Sequence, residues 1–271
     1  MKKILAAALA AMMMAAMLVG CSAGSSQNPG DSQDSGSSAS GKFVVGLDDQ
    51  FPPMGFRDDN NDIAGFDIDL AKAVGEKMGM EVELKPIDWD SKELELEAGN
   101  VDCVWNGLSV TPQREKDMLL SEPYLANDQV ILVKKGSEFK TKASLDGKKI
   151  AVQKASSAVD AMDKDGMSDR VEKVEFADNV SVLNELEIGR VEGAVLDEVV
   201  ARYYMTKKPD TFELLDETLA EEFYAVGFKK GNNDLKNAVE KAFGELIKDG
   251  KVAEISQKWF GENRFLEENF K

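Results

Sequence analysis

Apolar residues fall along this chain in two alternating rhythms. Short runs of strand character lie at Phe43–Leu47, Val82–Leu84, Cys103–Asn106, Val130–Lys134, Lys149–Val152, Val171–Phe176, Gly193–Asp197 and Tyr224–Phe228. Between them, Phe66, Leu70, Val74 and Lys77/Met78 keep the spacing of one helix face, as do Val180, Leu183 and Leu186/Glu187. Gly79 suits the stop of the first of these helices and Asp178 the N-cap of the second. Two further helical patterns, Asp234–Lys248 and Val252–Trp259, close the chain. Strands alternating with helices predict an α/β architecture built on a parallel sheet.

The first forty residues follow neither rhythm. Lys2 and Lys3 precede the uncharged, mostly apolar run Ile4–Val19, then Gly20 and Cys21. The run is short for a membrane-spanning helix and has the basic-then-apolar order of an export signal. Leu18-Val19-Gly20-Cys21 is similar to the bacterial lipobox, in which cleavage before the cysteine leaves it as the lipid-bearing first residue. Residues 1–20 are therefore expected to be a lipoprotein signal peptide and Cys21 the lipidated residue; the competing reading is a plain N-terminal anchor helix with an incidental cysteine. Ser22–Gly41 holds eight Ser and four Gly with no aromatic residue. Such a segment cannot bury enough apolar surface to fold and reads as a flexible tether. A chain so anchored sits on the extracytoplasmic face of the cell membrane, held stably only if more than one acyl chain is attached.

Charge narrows the partners. The chain has 33 basic and 50 acidic residues, and loss of Lys2 and Lys3 leaves 31 against 50, a formal −19. This balance argues against binding nucleic acid or anionic lipid through charge. With Cys21 committed to lipid, Cys103 has no partner for an intramolecular disulfide, so the fold must rest on its core, and Cys103 is expected to face it.

The run Gly107–Arg114, GLSVTPQR, carries the most telling chemistry. It sets Ser109, Thr111 and Arg114 in the turn between a strand and a helix, and the planar guanidinium fork matches two carboxylate oxygens. Taken alone, an Arg at a helix start is as readily solvated or paired on the surface.

Five more stretches join it in fixed order: VGLDDQFPPMGF at Val45, AGFDIDLAKAVGEKMG at Ala64, SEPYLANDQVILVKK at Ser121, LDGKKIAVQKASS at Leu145 and GAVLDEVVA at Gly193. From Lys42 to about Gly261 the chain resembles the family 3 solute-binding proteins of polar amino-acid ABC importers, the lysine/arginine/ornithine-, histidine- and glutamine-binding type. The resemblance implies a two-lobed, type II periplasmic-binding-protein-like fold. Lobe one is expected from 42–126 with 225–271, and lobe two from 127–224, joined by crossovers near Leu125–Gln129 and Glu222–Val226. A polar or basic amino acid would be captured between the lobes by hinge closure and delivered to a permease driven by a separate ATPase. The same resemblance admits a receptor for a membrane signalling partner, or a dehydratase on the same fold.

The resemblance also assigns residues. Arg114, Ser109 and the amides at Ser156 and Ser157 would hold the α-carboxylate, the last two at a helix start where the dipole favours an anion. The family usually has Gly before these hydroxyls, where this chain has Ala155. Asp197 would take the α-ammonium, helped by the Gly107 carbonyl and the Ser109 hydroxyl, although it also suits an N-cap for the helix that follows. Phe51 and Trp89 would sandwich the side chain, with Asp48, Asn106 and Gln153 as its polar contacts. Arg114 and Asp197 balance a zwitterion, so Asp48 is left over and would repel an acidic side chain.

Other readings are set aside on stated grounds. Asp67 and Asp69 point about 200° apart on a helix and cannot converge on one atom, so no metal or acid/base role is assigned. Glu93–Glu97 reads as a solvated helix face. With no histidine the usual neutral-pH base is absent, and no GxxxxGK[ST] loop is present for a nucleotide. The expected protein is a monomeric binder, not an enzyme, with no cofactor.

Overall fold

The computed structural model describes residues 41–271. The expected signal peptide, Cys21 and all of the tether except Gly41 lie outside the described residues. The body opens with β1 (Lys42–Leu47), the short strands β2 (Gln50–Phe51), β3 (Gly55–Arg57) and β4 (Ile63–Ala64), helix α1 (Phe66–Met78) and β5 (Glu81–Pro86). Helix α2 (Lys92–Ala98), β6 (Cys103–Ser109), α3 (Pro112–Asp117) and β7 (Leu119–Leu120) follow, and then the long β8 (Leu125–Lys134). Next come β9 (Lys149–Gln153), α4 (Ser157–Asp165), β10 (Glu172–Phe176), α5 (Asn179–Glu187), β11 (Gly193–Asp197) and α6 (Glu198–Lys207). The 17-residue β12 (Phe212–Phe228) leads into α7 (Asn233–Lys248) and α8 (Lys251–Phe260).

The main sheet runs β10-β9-β11-β8-β12-β6-β1-β5, with β7 on β12. Strands β5, β1 and β6 are parallel at one end, and β10, β9 and β11 are parallel at the other. The two groups are the sheets of a two-lobed α/β fold. Between them β8 and β12 pair antiparallel, from Leu125 opposite Tyr224 to Phe212 opposite Lys134. The expectation of a parallel sheet is thus corrected to a mixed one. The chain crosses from one half to the other on β8 and must return on β12, so the connecting strands run in opposite directions.

These two strands also begin earlier than their apolar runs suggest. The added segments, Leu125–Gln129 and Phe212–Phe223, are rich in Asn, Asp, Gln and Glu, and lack the apolar alternation that marks a half-buried strand. The expected stops and caps are present: Gly79 ends α1 in the left-handed conformation at φ 69, and the Asp178 side chain accepts the Ser181 N–H at the start of α5. Cys103 is fully buried in β6. Around it, Trp105 meets Phe243 of α7 edge-on with ring centroids 5.3 Å apart, and Tyr124 lies parallel to Phe265 at 6.0 Å.

Candidate functional site

Of the expected ligand-binding residues, Phe51, Ser109, Gln153 and Asp197 end strands, and Asp48, Ser156 and Ser157 lie in or at the end of a turn after a strand. Asn106 and Gly107 lie within β6, Trp89 opens a short 3-10 helix and Arg114 lies in the first turn of α3. Arg114 is held by its own helix start: Thr111 caps α3 by accepting the Arg114 N–H at 3.2 Å, and Pro112 at the first turn forgoes an amide that the helix would leave unpaired. Arg114 is 6 % exposed; its guanidinium donates from Nη1 to the Ser109 carbonyl at 2.8 Å and stands 5.9 Å from the Trp89 ring centroid. Its Nη2 reaches the other half, donating to the Ala155 carbonyl at 3.4 Å. Among the described residues no carboxylate lies within ion-pairing distance of it. Burial makes its charge costly and lowers its pKa, while Glu222, first among nearby carboxylates, acts in the opposite sense.

Asp197 ends β11 and is 4 % exposed. It occupies the N-cap position of α6, but its side chain makes no capping bond. Instead Oδ1 accepts from the Tyr224 hydroxyl at 2.7 Å and from Asn127 Nδ2 at 2.9 Å. Burial, then the charge of Glu222, pushes its carboxyl well above the usual range. A cation arriving at this carboxylate relieves both effects.

Four residues of the connecting strands join the site without having been singled out in the sequence. Glu222 accepts from Ser109 Oγ at 2.9 Å, Asn127 Nδ2 at 2.7 Å and Gln129 Nε2 at 2.8 Å, all on Oε1. Gln129 also donates to Ser157 Oγ, which lies 2.9 Å from Ser109 Oγ. Since Ser109 spends its one proton on Glu222, Ser157 donates to Ser109. Asn127 with Gln129, and Glu222 with Tyr224, are spaced by two and so share a strand face. That spacing is the signal by which they could have been found.

At the far end of the site Asp48 accepts the Gln50 N–H at 2.9 Å and, from the other half, Gln153 Nε2 at 2.8 Å. Burial pushes Asp48 up to about 6 against these hydrogen bonds. Gln153 is further occupied by the Ala177 carbonyl and Asn179. Asn106 donates to the Asp48 carbonyl at 2.6 Å, and its Oδ1 packs against Gly55. Its amide therefore sets the backbone of Asp48. Phe51 and Trp89 are both buried. A cavity of about 400 Å³ opens beside Asp48 and Trp89, lined also by Asp49, Asp88, Asp90, Glu95 and Asp178 against Lys85 and Lys154. The two lysines are already paired, with Glu95 and Asp90, so the free field there is negative. A larger cavity of about 800 Å³ lies elsewhere, between Phe56, Tyr203 and Trp259. Neither cavity is lined by Arg114 or Asp197, but only the smaller one reaches Asp48 and Trp89.

Ser156 and Ser157 open α4 as expected, but Ser156 Oγ donates to the Gln153 carbonyl at 2.7 Å instead of capping the helix. Ala155 holds φ 54, the left-handed region that Gly occupies freely. Ala155→Gly is expected to raise stability by about 0.5–1 kcal/mol, the relieved strain less the freedom gained by the unfolded chain. An unchanged urea midpoint would show that no strain is held there.

Asp67 and Asp69 do not converge. Asp69 accepts from Lys258 and Trp259 Nε1, whereas the fully buried Asp67 accepts the Gly107 N–H at 2.7 Å and the Tyr124 hydroxyl at 2.9 Å. Burial pushes Asp67 up to about 7. With a raised carboxyl the folded chain keeps a proton that the unfolded chain has released, so the stabilisation is complete below about 3.8 and is lost as pH rises through about 7. From pH 5 to 8 this group alone should lower stability by about 2–3 kcal/mol. In Asp67→Asn that fall should be missing when urea unfolding is compared at the two pH values; an unaltered slope would remove Asp67 as its source.

Comparison with known proteins bears on the family and the fold. The family model for bacterial extracellular solute-binding proteins, family 3, matches residues 43–262. The chain is similar to the L-cystine-binding protein TcyJ of Escherichia coli (strain K12), at 31 % identity over 82 % of this chain and 83 % of that protein. It is 29 % identical to the arginine-binding extracellular protein ArtP of Bacillus subtilis (strain 168), over 85 % and 91 %. Among solved structures, an ABC uptake transporter substrate-binding protein from Streptococcus pneumoniae with bound histidine superposes with a TM-score of 0.80 at 37 % identity, covering 83 % of this chain and 94 % of that one.

Proposed function

Because the chain belongs to the bacterial extracellular solute-binding proteins, family 3, we propose that it captures a free polar or basic L-amino acid between its two lobes and hands it to an ABC permease. The observation that carries this reading is the approach of Arg114 and Asp197 from opposite halves, bridged by Ser109, Glu222 and Asn127. Arg114, with the amides at Ser156 and Ser157, takes the α-carboxylate, and Asp197 the α-ammonium. Only a closed arrangement lets both halves touch one ligand, so binding stabilises closure by that difference in contacts. The lobes of this reading are 42–126 with 225–271, and 127–224, hinged on β8 and β12.

Charge chooses the side chain. The buried groups of the site are the carboxyls of Asp48, Asp197 and Glu222 against the cations of Lys92 and Arg114. A zwitterion leaves this balance unchanged, a cationic side chain neutralises it, and an acidic one worsens it. The relatives' ligands, cystine, arginine and histidine, carry no net negative charge beyond the α-carbon, the second carboxylate of cystine being matched by its second ammonium. The site binds without catalysing, and the chain works as a monomer held by lipid at Cys21 on the extracytoplasmic face. Thermal-shift screening against all amino acids tests this. A cognate ligand at 100 times its Kd adds about 2.7 kcal/mol to stability. Glutamate matching arginine and glutamine would contradict the use of Asp48, and no shift with any amino acid would overturn the reading.

A further inference from the structure

Lys92 breaks several local rules at once. Its side chain is 2 % exposed, although lysine is among the residues least often buried. It is the first residue of α2, at the positive end of the helix dipole, where a cation is disfavoured. Its carboxylate partner is the half-exposed Glu93 at 3.1 Å. The ammonium stands 5.2 Å from the Trp89 ring centroid, on the ring that the Arg114 guanidinium also approaches. Burial, then the charge of Arg114, lowers its pKa. A neutral side chain of the same length would cost the fold less.

What Lys92 gains in return lies across the cleft. Its Nζ donates at 3.2 Å to the Ala155 carbonyl, the same oxygen that Arg114 Nη2 reaches at 3.4 Å. Two buried cations of one half thus converge on a single acceptor of the other. Ala155 is the left-handed residue immediately before Ser156 and Ser157, whose amides open α4. We propose that Lys92 is a positioning residue that clamps the Ala155 carbonyl across the cleft, holding the amides of Ser156 and Ser157 toward Arg114 and adding its charge to the field on the α-carboxylate. The proposal rests on the amino-acid reading for its last clause and on the Ala155 contact for the rest.

The test has one arm that needs no ligand. Amide hydrogen exchange is measured on the full chain, wild type, Lys92→Met and Lys92→Arg. In Lys92→Met the amides of Ser156, which donates to the Gln153 carbonyl, and of the buried Ser157 should exchange at least about 10-fold faster, as expected for loss of one charged hydrogen bond. Lys92→Arg should restore protection, the amides of β11 should not change, and the unfolding temperature of Lys92→Met should not fall. Unchanged exchange at Ser156 and Ser157, or acceleration throughout with a lower unfolding temperature, overturns the clamp.

The second arm titrates L-arginine and L-argininamide, which lacks the carboxylate charge. Lys92→Met should weaken L-arginine at least about 10-fold more than the amide, the size of the attraction of one unit charge within about 10 Å at an effective dielectric of about 20. Equal losses overturn the charge role. A wild-type chain that binds no amino acid would overturn the function proposed above and, with it, the field on the carboxylate, leaving the exchange result to decide the clamp.

Discussion

Arg114→Ala is expected to abolish the stabilisation by amino acid while leaving a folded chain. Truncating one partner of a buried, hydrogen-bonded charge pair costs about 2–5 kcal/mol, so affinity should fall between tens and thousands of fold. The fold should tolerate the change because Arg114 has no carboxylate of its own to strand: its bonds go to the carbonyls of Ser109 and Ala155. Asp197→Asn is the matching change in the other half, and keeps an acceptor for the Tyr224 hydroxyl while removing the charge that would meet the ammonium. Isothermal titration of both variants, with circular dichroism to confirm folding, measures the outcome. Wild-type affinity in both would remove the charge clamp.

Gly107→Ala should be the most damaging small substitution at the site. Gly107 holds φ 57, and a Cβ there would lie 2.6 Å from a Phe51 ring carbon and 3.2 Å from two atoms of the Tyr224 ring. Both rings are buried, and Tyr224 is fixed at its hydroxyl by Asp197, so neither can swing away freely. The left-handed backbone costs a non-glycine residue about 1–2 kcal/mol, and overpacking about 1–3 more. A loss of about 2–5 kcal/mol in urea unfolding is therefore expected, with weakened ligand binding because Phe51, Tyr224 and Asp67 meet around this residue. A variant with the wild-type midpoint would show that the rings yield more easily than their packing implies.

Much of this could be read from the chain because the groups concerned are local. The apolar runs marked the interior of every strand at the two ends of the sheet, and the turn after each such run delivered Asp48, Arg114, Ser157 and Asp197 to one region. What escaped notice depends on pairing between distant segments. The polar halves of β8 and β12 are strands only because they pair with each other, so their length, the mixed sheet and the inward face carrying Asn127, Gln129, Glu222 and Tyr224 were hidden. Lys92 precedes an acidic helix face and carries no sign of burial in the sequence; its Nζ is held by the carbonyls of Trp89 and, from the other half, Ala155. Asp197 was open to two roles from its position alone, and the missing cap bond decides against the local one. Gln153 and Asn106 were expected to meet the side chain of a ligand. In the structure Gln153 donates to the Asp48 carboxylate and Asn106 to the Asp48 carbonyl, while Asn106 Oδ1 has no hydrogen-bond partner among the described residues.

The most direct measurement is a crystal structure of the chain grown with whichever amino acid gives the largest thermal shift. The account predicts the α-carboxylate on the Arg114 guanidinium and the Ser156–Ser157 amides, the α-ammonium on the Asp197 carboxylate, and the side chain running past Trp89 toward Asp48. A complex with Arg114 turned to solvent, or with the amino acid seated in the cavity between Phe56, Tyr203 and Trp259, would contradict it.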